Sequence, residues 1–189
     1  ITKSITFRGH NDRAILTTNI YQPSSIPSFI VHLQEGVNIH FENLKLMNMR
    51  SKEIVHMYYS LKSLIHFDSI YMDTMNSLVR VDGDATLQIS HSRFSKVNRR
   101  FITSMTNTAL FQSSASTFVH LWNVTVDTYT FSKQEETAKG IIYMQHVQNA
   151  NFSDVTLSNL KAHTSGLHIL NGKKVILKQN FTIAILALQ

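Results

Sequence analysis

Six times along the chain an eight-residue stretch alternates apolar and polar residues, breaks phase across one residue, and alternates again. The first copy reads Ile39, His40, Phe41, Glu42, Asn43, Leu44, Lys45, Leu46; the others occupy 65–72, 89–96, 119–126, 150–157 and 176–183. Their starts lie 26, 24, 30, 31 and 26 residues apart. An apolar-rich landmark precedes each copy in step with it, at 30–33, 54–57, 79–82, 110–113, 141–144 and 167–170. The segment 3–9 reads as a partial or divergent copy ahead of the first. A unit of this size cannot bury its apolar face alone, so its repeats must stack on one another.

Period-two alternation specifies strand. The phase break specifies a bend, placed at Asn43, Ser69, Arg93, Asn123, Asp154 and Asn180. Asn and Asp accept the left-handed backbone that a sharp corner needs and hydrogen-bond locally there. The helical spacing i, i+3, i+4, i+7 is absent, and the only prolines are Pro23 and Pro27, so almost nothing interrupts a strand ladder. The expected fold is all-β, a parallel β-helix (solenoid) of about six stacked turns spanning 1–189 as a single segment of a longer chain. One inward column is expected to read Ile39, Ile65, Ile89, Val119, Ala150, Ile176, and the next Leu44, Ile70, Phe94, Val124, Val155, Phe181.

Composition narrows the function classes. At 43% hydrophobic and 16% charged residues the chain can form a core and is not of the disordered type. Cysteine is absent, which excludes a disulfide-stapled scaffold, cysteine catalysis and thiolate metal sites. No apolar run reaches the roughly 20 residues of a membrane-spanning helix. The net charge is +6, but the Lys and Arg are dispersed, with the densest groups at Arg99, Arg100 and at Lys173, Lys174. Such scatter gives a mildly basic surface without a dedicated nucleic-acid footprint.

With its strand–corner–strand copies and tolerated insertions, the chain resembles the pectin-lyase-like superfamily of right-handed parallel β-helices. The resemblance is architectural and covers nearly the whole chain from Lys3 onward. That superfamily includes polysaccharide lyases and hydrolases, viral tail-spikes, and non-catalytic surface and adhesive proteins. Fold alone does not choose among them. The reading adopted is a non-catalytic extracellular or cell-surface structural or adhesive module, part of a fibre or glycoprotein assembly. Its partners would be carbohydrate or other surface proteins, with end-to-end or homo-oligomeric association, and neither nucleic acid nor a membrane span. The alternative is a carbohydrate-active enzyme or a degenerate carbohydrate-binding descendant of one.

Enzymes of that superfamily group several carboxylates on one sheet, and the nearest match here is Asp82 and Asp84, flanking Gly83. No second carboxylate is expected in register, so no catalytic residue is assigned. His40, His66 and His120 share one repeat position and should form an outward column, with no carboxylate expected to complete a metal site; no metal or cofactor is assigned. Sequons begin at Asn123, Asn151 and Asn180, with Asn151 the best placed for a glycan. The third and fourth copies are lengthened over 97–109 and 127–140, which should protrude together from one corner. Solenoids commonly place such insertions on a binding face, and Arg99, Arg100, Phe101, Tyr129 and Phe131 are the candidate ligand contacts.

Overall fold

The computed structural model describes residues 3–10, 14–17, 29–32, 35–49, 51–104, 117–128, 140–161 and 166–186. They form an all-β structure of fifteen strands, and every strand pairing among them is parallel. The strands make one continuous, unclosed sheet that resolves into three ladders, to each of which successive copies of the repeat contribute in turn. The first ladder starts with Ile5–Arg8 and Asn38–Glu42 and ends at Val175–Lys178. The second runs from Ala14–Thr17 through Leu44–Met49 and Tyr71–Met75 to Thr182–Leu186. The third runs from Phe29–His32 through Ile102–Ser104 and Ile142–Gln145 to Leu167–Leu170. The long strands Val55–Asp68 and Val79–Val97 bend from one ladder into the next, so each takes part in more than one.

Left-handed backbone marks the bends. Between the first and second ladders, Asn43, Ser69, His91, Asn123, Asp154 and Gln179 all have φ between 46° and 55°. Asn48, Thr74, Lys96 and Asn159 repeat the conformation toward the end of the second ladder, with φ from 52° to 59°. Gly36, Lys62, His146 and Asn171 do so between the third ladder and the first. For most L-residues this conformation costs about 1–2 kcal/mol, least for Asn and Asp. Its recurrence at one register position in every copy shows that ladder pairing on both sides holds it in place.

Two of the expected corner residues are displaced. In the third copy the corner is His91 rather than Arg93, because Ser90 pairs with Asp68 and with Trp122. In the sixth it is Gln179 rather than Asn180; Asn180 is an extra residue, since three steps from Ser153 to Thr156 are matched by four from Lys178 to Thr182. The inward column therefore reads Ile39, Ile65, Leu87, Val119, Ala150, Val175, with Leu87 and Val175 in place of Ile89 and Ile176. In the second expected column Ser92 replaces Phe94, which moves one position on, beside Met72 and Val126. Ser92 is buried but satisfied: its oxygen accepts the Ile70 N–H at 3.0 Å and its hydroxyl donates to the Ser90 carbonyl.

The slip has a local cause. Six steps take the chain from Tyr58 to Leu64, but only four take it from Asp82 to Thr86, the partners of those residues. The shorter bend passes through Gly83 at φ 144°, a conformation that other residues rarely adopt. The expected lengthened stretches lie largely outside the described residues, but their flanking strands differ: Ile102–Ser104 of the third ladder is followed along the chain by Thr117–Thr128, which begins in the first, and Thr117–Thr128, which ends in the second, by Ile142–Gln145 of the third.

Ile39, Ile65, Leu87, Val119 and Ala150 are fully buried. One position along, the rings of Phe7, Phe41 and Phe67 stack, with centroids 5.0 and 4.8 Å apart and planes 12° and 6° from parallel. Copies at one end are less covered: Val175, Leu177 and Ile183 remain 40–51% exposed. Two core substitutions should therefore be costly. Phe67→Ala should lose about 3–5 kcal/mol, and Ile65→Asp, which buries an unpaired charge between Ile39 and Leu87, more than about 4 kcal/mol. Urea midpoints read both; an unchanged midpoint for Ile65→Asp would show that the column is not core.

Candidate functional site

The outward face of the first ladder brings together several chemically capable side chains, among them His40, Glu42 and His66. Its strands alternate, as Asn38–Glu42 shows with Ile39 and Phe41 inside and His40 and Glu42 outside. Parallel register then sets equivalent outward residues beside one another. His40 pairs with His66, followed by Gln88 and His120; in the next row Glu42 pairs with Asp68, followed by Ser90 and Trp122. The expected histidine column thus exists, with Gln88 interposed between His66 and His120.

Within this face the His40 and His66 rings meet edge-on, 5.6 Å between centroids. Burial and the neighbouring His40 hold the His66 imidazole below its ordinary pKa. Glu42 accepts a 2.6 Å bond from Arg8 Nε. Asp68 is the hub of the second row: Ser90 Oγ donates to it at 2.6 Å, Ser69 Oγ at 3.2 Å, and His91 Nδ1 lies 2.9 Å away. Burial raises the Asp68 pKa, but these hydrogen bonds outweigh it and keep the carboxylate below its usual value. One strand beyond Ser90 stands Trp122, the only tryptophan, 54% exposed, with its ring centroid 4.4 Å from that of His91. An exposed indole is a costly thing to leave in water, and it supplies a large rigid apolar surface with a donor at its edge. Its outward direction follows from strand alternation with the buried Val119 and Leu121 ahead of the corner at Asn123.

The Asp82 neighbourhood is organised differently. Asp82 is buried, with Arg80 Nε at 2.9 and 3.1 Å from its two oxygens and His56 Nε2 at 3.0 Å. Its carboxylate is therefore committed to a charge cluster on the third ladder, where His56 and Arg80 are register partners. A second carboxylate is close enough to interact electrostatically, Glu53, which lies outside the repeat positions and has no sequence signature. Glu53 is buried with Oε2 unpaired among the described residues, and burial pushes its pKa above 4.5 despite Lys52, His56 and Arg80.

The expected loop patch falls partly on the core and partly outside the described residues. Phe101 is fully buried, with its ring 4.6 Å from Phe94, so it belongs to the core and cannot be a surface contact. Arg99 and Arg100 are half-buried, and the Arg100 guanidinium lies 5.4 Å from the centroid of the buried Tyr143 ring. Tyr129 and Phe131 lie outside the described residues. Of the sequon asparagines, Asn123 is exposed at its corner, and Asn180 is exposed and donates to Asp154 Oδ1 at 3.3 Å. Asn151 is half-buried with its amide oxygen out of solvent, a less open setting than that of Asn123.

No family model, curated protein or solved structure matches the chain. Among the described residues no helix is long and apolar enough to cross a membrane.

The Glu53 environment yields a pH-dependent prediction. Because its folded pKa lies above 4.5, its favourable contribution is complete below that value and is lost as pH rises through the folded pKa. Glu53→Gln removes that loss. The variant should gain stability relative to the parent as pH is raised from 4.5 toward neutrality. Urea midpoints of both chains across that range provide the measurement, and a constant difference would contradict it.

Proposed function

We propose that the chain is a segment of right-handed parallel β-helix of the pectin-lyase-like type, acting as a non-catalytic structural or adhesive module at the cell surface or outside the cell. Three parallel ladders repeating in one order, with left-handed corners in register, support the coil. The handedness draws on the general preference of parallel crossovers. The observation that carries the adhesive reading is Trp122, exposed on the ladder against the ring of His91, whose Nδ1 in turn lies 2.9 Å from Asp68. A flat strand face carrying an indole and oriented polar groups suits the apolar faces and hydroxyls of a sugar, or an equivalent patch on a surface protein.

A second reading, a carbohydrate-active enzyme, is favoured by two carboxyl groups close enough to interact, Glu53 and Asp82, with the Glu53 pKa raised chiefly by burial; glycoside hydrolysis uses a pair of carboxyl groups in unlike environments. Against it stand the burial of both groups and the engagement of Asp82 by Arg80 and His56.

Because Trp122 is the only tryptophan, its fluorescence reports directly on this face. Titration with a panel of neutral and acidic glycans should shift or quench the emission without product formation, and Asp68→Asn should abolish the response. A silent indole across glycans and isolated surface proteins would contradict the adhesive reading. Turnover of any glycan, abolished by Asp82→Asn, would replace it with the enzymatic one.

A further inference from the structure

We propose that His40, His66 and Glu42 form a binding site for a divalent first-row transition cation, zinc being the member that fits best. Sequence alone places the two imidazoles together but supplies no carboxylate, because the repeat pattern pairs histidine with histidine across copies. The third ligand comes from along the strand. Glu42 lies two residues beyond His40, on the same outward face, and the three ligand atoms all lie within 4.8 Å of one another.

The geometry is close to what zinc requires. Tetrahedral zinc with ligands at about 2.0–2.2 Å places neighbouring ligand atoms about 3.3–3.5 Å apart. Closing the remaining gap, at most about 1.5 Å, needs only small rotations at the ends of the side chains, where terminal torsions are broad. The backbone positions are fixed in advance: His40 and His66 are register partners on paired strands, and all three residues are half-buried. Two imidazoles and one carboxylate form a nitrogen-rich set that favours zinc, nickel or copper over calcium or magnesium. Such a set leaves one position for water or for a donor from a bound molecule.

The neighbours act in both directions. Asp68, the register partner of Glu42, adds negative charge beside the site while its own oxygens are held by Ser90 and His91 at Oδ1 and by Ser69 at Oδ2. Arg8 opposes binding, since its guanidinium occupies Oε2 of Glu42 at 2.6 Å. That side chain is 68% exposed, however, so it can swing into water at little cost, and the other carboxylate oxygen is not part of this bond. The site does not depend on the adhesive reading of Trp122.

Zinc titration of the full chain by calorimetry, with cobalt as a spectroscopic probe, tests the site. One ion should bind per chain, and cobalt should give the strong visible absorbance of a four-coordinate ion. His40→Gln and His66→Gln should each weaken zinc binding by more than the roughly 10–100-fold typical of an outer-shell change. Arg8→Ala, which removes the competing cation and touches no ligand, should tighten it. His120→Gln should leave it unchanged. Circular dichroism confirms that each variant is folded; if His66→Gln unfolds, His40→Gln and Arg8→Ala still decide. No binding to the parent chain, binding that survives His40→Gln, or a cobalt spectrum unaltered by Glu42→Gln would overturn the proposal.

Discussion

A left-handed residue held at the same register position in every copy is the constraint on which the rest of this structure depends. Without it, the alternation that puts Ile39 and Phe41 inside would continue, and Leu44 would point outward. The bend at Asn43 consumes one residue and resets the phase, so both strands of a copy face the same interior. Because the next copy bends at the partner residue Ser69, the ladders on either side stay parallel and paired. Residues such as His91 and Gln179, less suited to this backbone than Asn, are carried into it by neighbours that already bend there. The cost of each is small against the burial of columns such as Phe7, Phe41 and Phe67.

The same register makes the outer face a ruler. Equivalent residues in successive copies sit about 4.8 Å apart, so chemistry that needs two groups at contact distance can be assembled from residues remote in sequence. His40 and His66 meet this way, as do Glu42 and Asp68, and Trp122 reaches His91 across the corner. The ladder also limits what can form. Asp82 gains Arg80 along its strand and His56 from its neighbour, and the resulting charge cluster closes on itself.

Much of this was legible in the sequence because period-two alternation and a polar phase break are local signals. The corners at Asn43, Ser69, Asn123 and Asp154 could be placed from residue type and spacing. The copy at 89–96 puts the third corner at Arg93 and Phe94 in the apolar column, and nothing local reveals that His91 bends instead, with Ser92 satisfying its hydroxyl and accepting the Ile70 N–H. The short bend at Gly83 removed residues where no gap was expected, which moved the third copy by two. Phe101 looked like part of a basic loop because it follows Arg99 and Arg100, yet its ring is core. Groups outside the repeat, Glu53 above all, carry no periodic signal, and the carboxylate beside the histidine pair emerged only once side-chain reach was known.

Distance along the first ladder is the most direct test of the whole account. Arg8, Trp122 and Lys178 occupy one outward row, four and six pairing steps apart. The chain has no cysteine, so spin labels can be placed at introduced cysteines without background. Pulsed electron–electron resonance on doubly labelled Arg8→Cys/Trp122→Cys and Arg8→Cys/Lys178→Cys chains should give narrow distributions centred near 19 Å and 29 Å, about 4.8 Å for each step. Equal distances for the two pairs, or broad distributions that do not lengthen with the number of copies between labels, would contradict the in-register parallel stack.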